Sequence, residues 1–193
     1  KQHRDQFFKK SKTLGYRSRA AFKLIELNKK FKFIKKNTYL LDVGSSPGGW
    51  AQVSSNIIEN GKILSLDLKK MDPLKKVSFL QCDFLDRTTR NKVYNFFGNN
   101  VDVVLSDMAA DTTANKSLDC IRTYQLCAEI IDFSTGILKP KGVLVSKLFM
   151  GDDFLEVKKL ANLKFKKVQF FKPDASRRES KETYLHCSIL KTL

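Results

Sequence analysis

Two hydrophobic rhythms alternate along this chain. Short apolar runs at Leu40–Val43, Lys62–Leu66, Val77–Leu80, Val101–Ser106 and Val143–Ser146 predict buried strands, and Lys166–Phe171 and Thr183–Leu190 predict two more. Between them lie stretches with apolar residues three to four positions apart. In the segment Ser18–Phe31, Ala20, Leu24, Leu27 and Phe31 share one face and Ser18 is placed to cap it. Trp50–Glu59 reads as a helix stopped at Asn60-Gly61, Leu85–Phe97 as one ending at Gly98, Ser117–Leu138 as a long helix closed by Lys139-Pro140-Lys141-Gly142, and Asp152–Leu160 as a short one. Strands alternating with helices predict an α/β fold, a doubly wound, mostly parallel seven-stranded sheet with flanking helices. Lys1–Thr13 has no apolar period and is expected to be mobile until an anion orders it. Residues 1–16 are thus a basic tail ahead of a single domain, 17–193.

The first strand runs into Gly44-Ser45-Ser46-Pro47-Gly48-Gly49-Trp50, a strand, a tight glycine turn and a helix. In such sheets ligands sit outside the carboxyl ends of the strands, and the first turn brings backbone close to a nucleotide. The spacing Gly44-x-x-x-Gly48-Gly49 differs from the dinucleotide pattern G-x-G-x-x-G, which argues against a nicotinamide dehydrogenase. The second strand ends in Asp67, 23 residues after Gly44, where an acid accepts hydrogen bonds from ribose hydroxyls. Asp83-Phe84 after the third strand pairs an acceptor with an aromatic wall for an adenine. Asp107 and Lys147 end the fourth and fifth strands, so they should face the same crevice. An adenosine-type cofactor follows.

The chain has 193 residues, 42% of them hydrophobic and 15 of them Phe, enough for one packed core. No apolar run approaches the ~20 residues of a membrane span. Cys82, Cys120, Cys127 and Cys187 form no C-x-x-C pair, and His3 and His186 are far apart, so neither a metal site nor a disulfide framework is expected. The cysteines read as reduced core residues of an intracellular protein, with none at a strand tip beside the crevice. The first residue is Lys1, so the compartment (cytoplasm, nucleolus or mitochondrion) is left open. The net charge of +16 is uneven: residues 1–36 carry +11, 37–155 carry −1, and 156–193 carry +6. Two basic ends around a neutral middle point to a polyanionic partner beside the cofactor.

These residues resemble the RrmJ/FtsJ family of S-adenosylmethionine-dependent ribose 2′-O-methyltransferases. The resemblance runs from Ser18 to Leu190 through Ser18–Leu24, Ser46-Pro47-Gly48-Gly49-Trp50, Met71-Asp72-Pro73, Gln81-Cys82-Asp83-Phe84, Ser106-Asp107-Met108-Ala109, Lys147–Gly151 and Lys172–Arg177. It implies a Rossmann-like methyltransferase fold, a catalytic tetrad of Lys23, Asp107, Lys147 and Glu182, and cofactor contacts from Gly48, Trp50, Asp67, Asp83 and Asp107. Lys23 and Glu182 rest on the resemblance alone. The chain departs from the family pattern at Ala110-Asp111, where Pro-Asn is usual, and at Ser46, where alanine is usual.

The reaction implied is in-line attack of a ribose 2′-oxygen on the sulfonium methyl of S-adenosylmethionine. Lys147 is expected as the base, Lys23 as the cation that lowers its pKa, Asp107 as the group that orients Lys147, and Glu182 as the group that positions Lys23 or the ribose. Large-subunit ribosomal RNA is favoured over transfer RNA, with mRNA cap ribose third, and the chain is expected to act as a monomer. A base N-methyltransferase carries a different motif at Ser106–Ala109, and a C5-methyltransferase needs a crevice cysteine. A non-catalytic RNA-binding module is the remaining alternative.

Overall fold

The computed structural model describes residues 6–109, 116–151 and 154–191. Seven strands form one sheet in the order β3-β2-β1-β4-β5-β7-β6: β1 Tyr39–Val43, β2 Lys62–Asp67, β3 Val77–Gln81, β4 Val101–Ser106, β5 Leu138–Phe149, β6 Phe165–Phe171 and β7 Glu182–Leu190. The first five pair in parallel. β7 inserts antiparallel between β5 and β6. The helices are α1 Gln6–Thr13, α2 Ala20–Phe31, α3 Gly49–Ile57, α4 Arg87–Phe97, α5 Lys116–Ile137 and α6 Phe154–Lys164.

Pleating sorts neighbouring apolar residues onto opposite faces. Leu41, Leu64 and Val104 point to a layer completed by Val93 and Phe97 of α4, Ile130 of α5 and Val157 of α6. Leu40, Ile63 and Val103 point the other way, against Leu24 and Leu27 of α2 and Trp50 and Val53 of α3. Fully buried side chains such as Leu24 and Leu27 each contribute roughly 1.5–3 kcal/mol relative to exposure. Polar connections therefore lie at the rims, and the topology reverses between β1 and β4, where an open α/β sheet leaves its ligand crevice.

Several boundaries differ from the sequence reading. The tail holds a helix, α1, because Phe7 finds a partner the local pattern does not reveal: its ring lies 5.6 Å from Phe22 of α2. Ser18 does not cap α2. Arg19 stands at that position without a side-chain cap, and the buried Ser18 hydroxyl presses on Gly49 instead. α3 stops at Ile57, two residues early, as Ile58 turns extended into the core. β5 begins at Leu138, since Lys139 reaches Asp102 of the neighbouring strand at 2.7 Å and the register shift between Val101 and Val103 accommodates Pro140 and Gly142. Ala110, Asp111, Asp152 and the side chain of Cys120 lie outside the described residues.

Candidate active site

A cavity of about 840 Å³ opens at the carboxyl ends of β1, β2 and β4. Its floor is the glycine turn. Gly44 has φ +76°, and a Cβ there would come within 2.8 Å of the Met108 backbone nitrogen, so only glycine lets the segment after β4 pass this close to the turn. Behind it the first amides of α3 have no intrahelical acceptor, which makes that end attractive to a carboxylate.

Asp67 lies at the β2 tip and lines the cavity. Its Oδ2 accepts from the Ser46 amide at 2.8 Å and its Oδ1 from the Lys69 amide at 2.7 Å. The carboxylate is thereby fixed, with a lone pair left on each oxygen for a hydroxyl. Asp83 also lines the cavity, its Oδ1 held by the Leu85 amide at 2.9 Å. Phe84 beside it is buried and forms an apolar wall. Asp42, one strand residue before Val43, is fully buried with neither carboxylate oxygen hydrogen-bonded. Burial, then the nearby Asp107 and Asp67 charges, push its carboxyl up to about 8.

At the far rim two ion pairs stand together. Lys147, 8% exposed, lies two residues inside the end of β5, a strand that the sequence reading ends at Ser146. It places Nζ 3.1 Å from Asp107 Oδ1 and donates to the Asp107 carbonyl at 2.6 Å. Lys23, at the end of the first turn of α2, meets Glu182 Oε1 at 2.6 Å, with both side chains 12% exposed. Tyr184 joins them, its hydroxyl donating to Asp107 Oδ1 at 2.9 Å while Lys23 Nζ lies 5.8 Å from its ring centre. Ser176 Oγ donates to Glu182 at 2.8 Å. Burial would raise the Asp107 carboxyl, but the Lys147 and Lys23 ammoniums and the hydrogen bonds from Lys147 and Tyr184 hold it below the usual range. Burial and the facing Asp107 and Glu182 charges push the Tyr184 phenol well up, so it remains a donor.

All four tetrad residues thus converge, together with Asp67 and Asp83. The remaining sequence-derived contacts do not line the cavity. Gly48 is covered by Arg17 and Met71. The Trp50 ring is buried against Tyr184, its Nε1 donating to the Ala20 carbonyl at 2.8 Å, so the ring is not presented to a ligand. Cys82 is half-buried on the cavity wall rather than in the core, and burial raises its thiol, which suits a wall and not a thiolate nucleophile. Cys127 and Cys187 are buried core thiols. Sequence reasoning passed over Arg90, which pairs with Glu129 at 2.7 Å and covers the Phe84 ring at 4.9 Å, and over Arg122 and Gln125 of α5. Arg17 was missed too: its guanidinium donates to the Asp72 and Pro73 carbonyls at 2.6 and 2.7 Å and closes the Met71-Asp72-Pro73 loop over the turn.

A family model for FtsJ-like methyltransferases matches residues 16–189. The ribosomal RNA large subunit methyltransferase E of Pelagibacter ubique is 42% identical over 191 residues, spanning 99% of this chain and 94% of its own. The protein of that name from Brucella ovis is also 42% identical, spanning 94% of this chain and 77% of its own. A Plasmodium falciparum structure described as a ribosomal RNA methyltransferase superposes with TM-score 0.80 at 32% identity, covering 91% of this chain and 98% of that one. Human methyltransferase-like protein 13, solved with SAH, superposes with TM-score 0.60 at 15% identity, covering 88% and 79%, a likeness of fold.

Proposed function

The chain belongs to the FtsJ-like methyltransferase family, and from that premise we propose that it transfers a methyl group from S-adenosylmethionine to a ribose 2′-hydroxyl of large-subunit ribosomal RNA. The observation that carries this reading is the pair of largely buried ion pairs, Lys147–Asp107 and Lys23–Glu182, at the rim of a nucleotide-sized cavity. The relatives named for large-subunit ribosomal RNA supply the substrate class.

The cavity residues fit the cofactor. Asp67 suits its ribose hydroxyls, Asp83 and Phe84 its adenine, and the turn at Gly44 and Ser46 with the facing Asp107 its amino-acid end. When bound, S-adenosylmethionine supplies an electrophilic methyl on a sulfonium. The chain's own residues prepare the oxygen that attacks it. To act as base Lys147 first releases one ammonium proton to solvent; the amine then keeps its two N–H groups on the Asp107 carbonyl and Oδ1 and turns its lone pair away from Asp107 to take the 2′-hydroxyl proton. Glu182 holds Lys23 as a fixed cation that keeps Asp107 ionised and attracts the ribose oxygen as it gains charge.

Methyl transfer from radiolabelled S-adenosylmethionine to purified large ribosomal subunits, free ribosomal RNA and bulk transfer RNA tests the reading, with the label mapped to ribose or base after digestion. Ribose label in ribosomal material is expected. Ribose label confined to transfer RNA overturns the substrate, and label on a base overturns the mechanism.

A further inference from the structure

A second cleft, of about 580 Å³, lies outside the cofactor cavity between α1 and the β6–β7 connection. Gln6 and Phe7 form one wall, and Lys172, Pro173, Asp174, Ser176 and Arg178 the other. The two strongly basic portions of the chain, residues 1–36 and 156–193, therefore meet here. Its size falls in the range of small-ligand pockets.

The far wall is braced. The Asp174 and Ala175 amides donate to the Glu26 carboxylate of α2 at 2.6 and 3.1 Å, and Arg19 donates to the Ala175 carbonyl. Lys172 Nζ donates to the Arg178 and Ser180 carbonyls, at 3.2 and 2.6 Å, which fixes an ammonium in the wall and leaves the Arg178 side chain exposed. A wall held before binding loses little freedom on binding. It is also wired to the reaction centre: Ser176 lines the cleft and donates to Glu182, which holds Lys23.

We propose that this cleft is a second RNA subsite, which seats the nucleotide adjoining the methylated one with its base against Phe7 and its phosphate at Arg178. The proposal rests on the ribose-methylation reading and adds to it a place for a neighbouring residue of the same strand. An aromatic ring held on Phe22, beside one fixed ammonium and one exposed guanidinium, is the combination that single-stranded RNA recognises, stacking for the base and charge for the backbone. The exposed Asp174 carboxylate repels phosphate from its end of the cleft and accepts from a base amino group, which orients the nucleotide.

The test compares the wild-type chain with Phe7→Ala, Phe7→Trp and Arg178→Ala, measuring binding of a short fluorescein-labelled single-stranded RNA across a salt series, KM for large ribosomal subunits, and S-adenosylhomocysteine affinity. Phe7→Ala is expected to weaken RNA binding and raise KM by about tenfold, with Phe7→Trp restoring both. Arg178→Ala is expected to reduce the slope of log affinity against log salt by about 0.7, a change that loss of local structure would not produce. S-adenosylhomocysteine affinity should stay within twofold in all three. If both alanine variants bind RNA within twofold of wild type with an unchanged slope while the wild type methylates ribose, the subsite is overturned and the activity stands. If the wild type neither binds nor methylates RNA, both fall.

Discussion

Tyr184 donates its phenolic hydrogen to Asp107 at the oxygen that Lys147 also faces, so one carboxylate oxygen in a half-buried site collects a neutral donor and a cation. The phenol keeps Asp107 anionic while carrying no charge itself. Tyr184→Phe keeps the packing on Trp50 and removes only that hydrogen. It should cost about 1 kcal/mol of stability, read by denaturant unfolding, and lower methyl transfer severalfold. The acid limb of the transfer rate should move to higher pH, because the Asp107 carboxyl loses one of the contacts that hold it down. An unmoved limb would remove Tyr184 from the charge arrangement.

Lys147→Ala should abolish methyl transfer and leave cofactor affinity within about tenfold, ~1.4 kcal/mol. Lys147 does not line the cofactor cavity, so a base role and a binding role separate cleanly. Single-turnover transfer and calorimetry on the same preparation decide it. Transfer near the wild-type rate excludes Lys147 as the base.

Lys23 and Glu182 should behave as one unit. With 2.6 Å between them and both largely buried, removal of either leaves a charge without its partner. Lys23→Ala and Glu182→Ala should each slow transfer strongly, and the double variant should be little worse than the poorer single one. Effects that multiply would mean the two residues act independently.

Asp67→Ala should weaken binding of S-adenosylhomocysteine by tenfold or more and spare RNA binding. The carboxylate also organises the turn through Ser46 and Lys69, so Asp67→Asn, which keeps one acceptor, should lose less. Equal loss in both variants would assign Asp67 to charge rather than to hydroxyl recognition.

Asp42 gives the fold a pH dependence. Its carboxyl titrates at about 8 in the folded chain and near 4 when unfolded. The folded state therefore binds the extra proton between those values. This group's contribution is fully present below pH 4 and is lost progressively as pH rises through 8. Asp42→Asn should flatten the melting temperature across that window and stabilise the protein at pH 8. A slope equal to that of the wild type would show that Asp42 is already ionised in the folded state.

The parts of the site legible in the sequence are those carried by parallel strands. Asp67, Asp107 and Lys147 each end a hydrophobic run, and parallel strands bring all such ends to one edge. Lys23 and Glu182 have no comparable signal. One sits within the first turn of a helix and the other opens a strand that runs the opposite way, so only resemblance singled them out. Trp50 sits on the helix that follows the glycine turn, but its ring packs into the core and not into the cavity. α1 packs on α2 through contacts that include Phe7 and Lys10 on Phe22, and Arg90 covers the cavity through side-chain reach from α4. Neither relation leaves a periodic trace.

The antiparallel insertion of β7 has a temporal consequence. On a translating ribosome the chain emerges from its N-terminus, and β1 through β5, with Asp67, Asp107 and Lys147, can pair before β7 exists. Until Glu182 arrives opposite Phe149, Lys23 has no carboxylate to meet and Asp107 no phenol. The strands that carry the cofactor cavity therefore leave the ribosome well before the strand that completes the reaction centre.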